Sequence, residues 1–367
     1  MKFRAAVLER VGAPLAIQSL EMAPLRGDDV LVRVHASGLC HTDLETIQGW
    51  LAYPLPIVLG HEGAGVVEAV GPGVTRVKPG DHVICSWNPH CGHCFYCERS
   101  MPILCEPFRK HQPKGLLLDG STRMTRDGQP VHHYSVTSTH AELTVVPESG
   151  AIVVSRDLPF DRACIIGCGV MTGVGAVVRK AKVEAGASVA VIGCGAVGLN
   201  AVQGARLADA GRIIALDVSA ARREGAKAFG ATDLIDGAAP DAAEQVRNLT
   251  GGRGADYVIE CAGNAQAFQL SVELVRPGGQ VVWLGKVNVD AQVSFRWGSL
   301  MGEKRIVRSS YGDAVPTRDF PWIANEYLEG RLMLDELITR RIALEDINDG
   351  FADLARGEGI RTVAMIR

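Results

Sequence analysis

SVAVIGCGAVGLN, residues 188–200, is the stretch on which the reading of the fold turns. SVAVI has the short, β-branched character of a buried strand, and it runs at once into Gly193, Cys194, Gly195, Ala196, Val197 and Gly198. That is G-x-G-x-x-G between a predicted strand and a predicted helix, the setting in which the pattern carries meaning. Gly193 permits a tight turn, Gly195 lets a pyrophosphate approach the backbone, and Gly198 allows the helix to lie close to the strand. The unpaired N–H groups at the helix start then face the phosphates. Ala201, Ala205 and Ala208 continue small residues at helical spacing. RIIALD, 212–217, predicts the next strand and ends in Asp217, placed to hydrogen-bond a ribose 2′-hydroxyl and to repel a 2′-phosphate. Val218 and Ser219 bring no arginine to offset that repulsion, so the pattern selects NAD over NADP. Arg222 is a candidate for the adenosine end, with a solvated surface arginine as the alternative.

Outward from this stretch, DYVIECAG and GQVVWLG add two more strands of the buried parallel type. Strands alternating with helices predict a doubly wound α/β domain, residues 170–308. Residues 1–169 read as a separate part made of strands and turns. Val30, Val32 and Val34 alternate as in a half-buried strand, and HEGAGVVEAVGPGV and KPGDHVICS continue in short bursts broken by Gly and Pro. From Glu106 to His140 the chain reads as a long irregular loop rich in Pro and Gly. After Ser309 mixed helix and strand return, ending in the strand-like IRTVAMIR.

Length and composition agree with two globular domains: 367 residues, 47% hydrophobic and 22% charged. With 38 basic and 41 acidic residues the net charge is -3, which gives no electrostatic reason to expect nucleic acid or an anionic membrane. The opening MKFRAAVLERVG lacks a signal-peptide core, and no later apolar run reads as long enough to cross a bilayer. The expectation is a soluble, cytoplasmic protein whose partner is a small molecule.

Ten cysteines in such a chain are not expected to form disulfides. Cys91, Cys94, Cys97 and Cys105 fall in CGHCFYCERSMPILC, and four thiolates this close can close a tetrahedron around Zn²⁺ with no open position. The rival is an iron–sulfur cluster, although the ferredoxin run keeps its fourth cysteine closer. Cys40 in GLCHTD, His61 and Glu62 in LGHEGAG, and Cys168 in IIGCGVMTG offer a second set of Cys, His and Cys. That set matches an open, catalytic zinc pattern, though spacing alone does not single these residues out. Cys85, Cys164, Cys194 and Cys261 read as small core or loop residues.

GLCHTD, GHEGAG, the four-cysteine run, IGCGVMTG and the dinucleotide fingerprint stand in the order of the zinc-dependent medium-chain alcohol dehydrogenases, and the chain resembles that family along nearly its whole length. DGSTRMTRDGQPVHHY resembles the longer, dimeric branch that holds liver and glutathione-dependent formaldehyde dehydrogenases, and aryl-alcohol dehydrogenases are also similar. The resemblance implies a GroES-like β catalytic domain made of residues 1–169 and completed by 309–367, a Rossmann NAD-binding domain over 170–308, two zinc ions, NAD, and a homodimer built by joining sheets near GQVVWLGKVNVDAQVSF. It implies that Cys40, His61 and Cys168 bind the catalytic zinc, with Glu62 behind the metal and Asp43 orienting His61. Thr42 matches the hydroxyl that takes the substrate proton, His41 and Arg361 match pyrophosphate contacts, and Trp87 matches an aromatic wall of the substrate pocket. Glu45 departs from the pattern, since many liver-type members end the proton relay there in a histidine, a stronger base than a carboxylate.

The activity so implied is oxidation of a primary alcohol, aromatic or medium-chain, to its aldehyde with NAD. Arg109 occupies the place of an anion-binding arginine in the glutathione-dependent enzymes, but WLAYPLPIV lacks the acids those enzymes carry before GHE. Oxidation of a thiol–formaldehyde adduct is therefore the second reading. A nicotinoprotein that retains its NAD is a third, and a non-catalytic NAD-binding scaffold is disfavoured by the complete ligand set.

Overall fold

Strand after strand in the first part of the chain is built from Val, Ile and Ala flanked by Gly and Pro, and pairing these strands buries their backbone polar groups. The structure, a computed structural model, describes residues 1–366. They form two compact units, Met1–Cys168 with Val315–Arg367 and Gly169–Ala314.

In the first unit, Lys2–Leu8, Ala16–Met22, Met124–Arg126, Gln129–His133 and Ile57–Val58 close a five-stranded barrel. A seven-stranded sheet runs Ala151–Val153, His82–Cys85, Glu62–Val70, Asp29–Gly38, Arg361–Met365, Ile338–Ala343, with Leu143–Pro147 also paired to Asp29–Gly38. The C-terminal strand thus lies antiparallel beside Asp29–Gly38, Val363 opposite Gly38. Val30, Val32 and Val34 are buried, but so is Leu31, and Arg33 alone in that strand is exposed. The strand is covered on both faces, not half-buried, because register shifts at Leu31/Val32 and Val34/Ala36 turn successive residues into different cores.

Residues 106–140 are also more ordered than their Pro and Gly content predicts. They hold the helix Glu106–His111 and the antiparallel strands Met124–Arg126 and Gln129–His133, which complete the barrel. Arg123 is buried there and donates to Asp29 at 2.6 Å and to Asp119 at 2.7 Å. Asp119 is a near neighbour along the chain, but Asp29 lies far off, so no local pattern announces that pairing.

The second unit is a six-stranded parallel sheet. Its order is Asp233–Asp236, Arg212–Asp217, Ser188–Ile192, Ala255–Glu260, Val275–Trp283, Arg305–Arg308. Numbered along the chain this is 3-2-1-4-5-6, the doubly wound order, whose switch point falls between Ser188–Ile192 and Ala255–Glu260. Residues 309–314 fold with this sheet because Gly312, at φ +65°, is packed tightly against the backbone of Met171 and Thr172. The strand in GQVVWLGKVNVDAQVSF stops at Trp283; residues 284–296 contain no strand or helix.

One helical run, Phe160–Ala181, is long and apolar enough by length and composition to cross a membrane, where the sequence reading finds none. Buried positions make up 78% of its apolar window, as in a core helix of a folded protein. Its length escapes a sequence reading because Gly167, Gly169, Gly173 and Gly175 interrupt it.

Candidate functional site

Gly38 ends a strand, Cys40 caps the helix His41–Ile47, and the third helical residue, Asp43, reaches back to accept the Cys40 N–H at 3.2 Å. That is the reciprocal logic of a capping box, here fixing a thiol at a helix start. His61 follows the turn at Gly60, whose φ of +93° suits glycine and whose missing side chain leaves room for His140. Cys168 lies at the centre of a π-helical segment, Ile166–Val170, within the long helical run. Such wide turns recur at functional sites.

These elements bring the ligand atoms of Cys40, His61, Glu62 and Cys168 within 4.8 Å of one another. Cys164, one turn away, is not among them; its thiol donates to the Asp161 carbonyl. Asp43 is fully buried, and its Oδ1 accepts both the His61 Nδ1–H and the Gly60 N–H at 3.1 Å. It therefore holds the imidazole in the tautomer whose Nε2 is a free lone pair. A hydrogen bond with the Cys168 thiol, helped by the Arg361 charge, draws the Cys40 thiol well below its ordinary range. Burial pushes Glu62 up to about 8 against the pull of Arg361. Glu62 meets Arg361 at 3.2 Å, yet neither carboxylate oxygen takes a well-formed hydrogen bond. Two sulfurs, an imidazole nitrogen and an unsatisfied buried carboxylate in so small a volume are a donor set suited to Zn²⁺, with the carboxylate in reserve.

The other expected residues fall as follows. Thr42 and Glu45 are half-buried on the helix after Cys40, and His41 is exposed at its start. Arg361 is 7% exposed and committed to Glu62 and to the Leu39 carbonyl, at 3.2 Å each. Trp87 is half-buried and faces Phe108 with ring centres 6.4 Å apart. Arg109 is exposed on the helix Glu106–His111. Tyr134, which the sequence reading did not single out, is fully buried and donates from its hydroxyl to the Thr42 carbonyl at 2.9 Å, while its ring packs edge-on to His61. Nothing local marks it, since it lies far from both partners along the chain.

Cys91, Cys94, Cys97 and Cys105 also converge within 4.8 Å, all as free thiols. The Cys91 N–H points to the Cys105 sulfur and the Glu106 N–H to that of Cys94, so backbone donors already face sulfurs that would carry charge. This closed, four-sulfur set is the structural type of zinc site.

In the second unit the fingerprint follows its strand directly. Gly193 has φ +91°, and a side chain on Gly198 would sit 1.7 Å from the Gly193 carbonyl. Gly195 caps the helix Ala196–Leu207 with open space around its Cα, the cradle a pyrophosphate needs beside the starting residues Ala196 and Val197. Asp217 ends Arg212–Asp217 and accepts the N–H groups of Cys194 at 2.7 Å and Ser219 at 2.9 Å, which ties the glycine turn to the adjoining strand. Arg222 is exposed on the next helix.

Comparison with known proteins agrees with this geometry. Residues 26–159 match the alcohol dehydrogenase GroES-like domain and residues 196–329 the zinc-binding dehydrogenase family. Alcohol dehydrogenase class-3 of Cereibacter sphaeroides is 40% identical over 380 residues, covering 100% of both chains. The S-(hydroxymethyl)glutathione dehydrogenase of Paracoccus denitrificans is 40% identical over 376 residues, again covering 100% of both. Among solved structures, benzyl alcohol dehydrogenase of Acinetobacter calcoaceticus superposes with a TM-score of 0.94 at 31% identity, covering 100% of both chains. With its closed four-cysteine set, its open Cys–His–Cys set and its dinucleotide fingerprint, this chain belongs to the zinc-dependent medium-chain alcohol dehydrogenase family, oxidoreductases that use zinc and NAD.

Proposed function

We propose that the chain oxidises primary alcohols, aromatic or medium-chain, to aldehydes with NAD, as a cytoplasmic homodimer. The observation that carries the reaction is the convergence of Cys40, His61 and Cys168 with Asp43 locked behind the imidazole. Those three residues hold the catalytic metal, and Cys91, Cys94, Cys97 and Cys105 hold the structural one. When bound, zinc supplies Lewis acidity toward a hydroxyl and NAD a hydride acceptor. Thr42 accepts the proton of the substrate hydroxyl at its own Oγ1, and Glu45, His41 or a water molecule carries it onward to solvent. In the second unit Gly193–Gly198 bind the pyrophosphate; in the first, His41 and Arg361 are the coenzyme contacts that the family pattern implies. Asp217 binds the ribose, and Arg222 supports the adenosine. Trp87 offers a flat apolar wall that suits a benzylic carbon. The likeness to benzyl alcohol dehydrogenase supports the aromatic reading.

A second reading is oxidation of S-(hydroxymethyl)glutathione, the substrate named for relatives about 40% identical. It is favoured by Arg109, exposed beside Lys110, with no ion pair to either among the described residues. It is disfavoured by Trp50–Val58, which carries no acid. A steady-state screen of alcohols with NAD, run beside formaldehyde with and without glutathione, separates the two. Turnover of benzyl alcohol with no glutathione-dependent formaldehyde oxidation is the expected result. The reverse pattern overturns the first reading.

A further inference from the structure

Glu260 is a buried carboxylate that the reaction does not use. It ends the strand Ala255–Glu260 in parallel pairing with Ile192 on one side and Trp283 on the other, at the sheet's switch point. Its Oε1 accepts the N–H groups of Ala262 at 2.8 Å and Gly263 at 2.7 Å. Its main-chain carbonyl accepts Leu284 N–H at 2.8 Å and Gly285 N–H at 3.1 Å. Oε2 is buried without a hydrogen-bond partner. A buried carboxylate in that state costs free energy and calls for a reason.

The surrounding turns supply one. A side chain at Gly193 of the fingerprint would lie 2.9 Å from the Ala262 nitrogen, one at Gly263 would lie 2.6 Å from the Lys286 carbonyl, and one at Gly285 would lie 2.5 Å from Glu260 Oε2. Three turns at the carboxyl ends of neighbouring strands therefore nest against one another, and Glu260 is bonded to two of them. In open parallel sheets this crevice is where a dinucleotide lies. An alanine or leucine at 260 would keep the strand and leave the Ala262 and Gly263 amides without an acceptor.

We propose that Glu260 is a positioning residue for the coenzyme: its carboxyl locks the turn 261–264, which packs between the glycine turn at 193 and the turn 284–286 held by its main-chain carbonyl, and so presets the surface on which NAD is held. The role is independent of which alcohol is oxidised. It is tested on the full-length, zinc-loaded protein by fluorescence titration with NADH and by steady-state kinetics. Glu260→Ala strands the two amides of Ala262 and Gly263 and should weaken NADH binding about tenfold or more, the effect of leaving even one buried amide without its acceptor. The KM for NAD should rise in step, while kcat at saturating NAD and the zinc content stay at parental values. Glu260→Gln, which keeps an acceptor oxygen for the two amides, should restore NADH affinity to within about threefold of the parent. Parental NADH affinity in Glu260→Ala, or a glutamine variant as weak as the alanine one, overturns the proposal. Amide hydrogen exchange on the parent protein decides the matter even if the alanine variant does not fold. NADH should slow exchange in 261–264 and 284–286, and unchanged exchange there overturns the proposal.

Discussion

Replacing Asp43 by alanine tests the metal centre where its geometry is most specific. One fully buried carboxylate accepts from the His61 imidazole, from the amide before it and from the amide of Cys40. Removal strands three buried donors, each worth roughly 1–3 kcal/mol. They share a single acceptor and are not independent, so the loss is smaller than three full penalties, about 3–5 kcal/mol. Zinc affinity at the open site should fall about 10- to 100-fold, the usual cost of losing the partner of a ligating histidine. Asp43→Asn keeps one acceptor oxygen for His61 and Gly60 but turns an N–H toward the Cys40 amide, so it should fall between the parent and alanine. Competition with a chromophoric zinc chelator measures the affinity, and thermal unfolding of the zinc-loaded protein measures the stability. Parental zinc affinity in Asp43→Ala would refute the reasoning, because the imidazole would then need no partner to hold its tautomer.

Two further predictions rest on other parts of the molecule. Gly198→Ala places a methyl 1.7 Å from the Gly193 carbonyl, so NADH binding, followed by fluorescence, should be lost while both zinc ions remain; retained binding would show that the turn can open. Burial, reinforced by the Arg123 charge, pushes His133 down to about 3, so the folded protein keeps it neutral while the unfolded chain protonates near the ordinary value of about 6.5. Its contribution is present above pH 6.5 and drains as pH falls toward 3, at up to about 1.4 kcal/mol per unit; denaturant unfolding across that range should show a shallower slope in His133→Gln.

The dinucleotide site was readable because its parts are contiguous: strand, turn and helix lie within Ser188–Asn200, and each glycine is required by backbone geometry that varies little. The four-cysteine run was readable for the same reason. The open metal site was recognised only through resemblance, because Cys40, His61 and Cys168 lie far apart along the chain and each is an ordinary residue in its own neighbourhood. The order within 106–140 was hidden because turn-forming residues say where the chain bends, not that Gln129–His133 will find Ile57–Val58.

The amino-acid order alone settles what depends on neighbours within a few residues: a parallel α/β unit with a phosphate-binding turn, and a compact set of thiolates. Tertiary packing decides what depends on meetings between distant segments. It sets the tautomer of His61 through Asp43, the commitment of Arg361 to Glu62, the Tyr134 hydroxyl behind Thr42, and the burial of Glu260 at the switch point. The reason is physical. Backbone conformation is imposed by local sterics and shows in local spacing, whereas desolvation and hydrogen-bond partnership exist only once strands from across the chain have closed around a side chain.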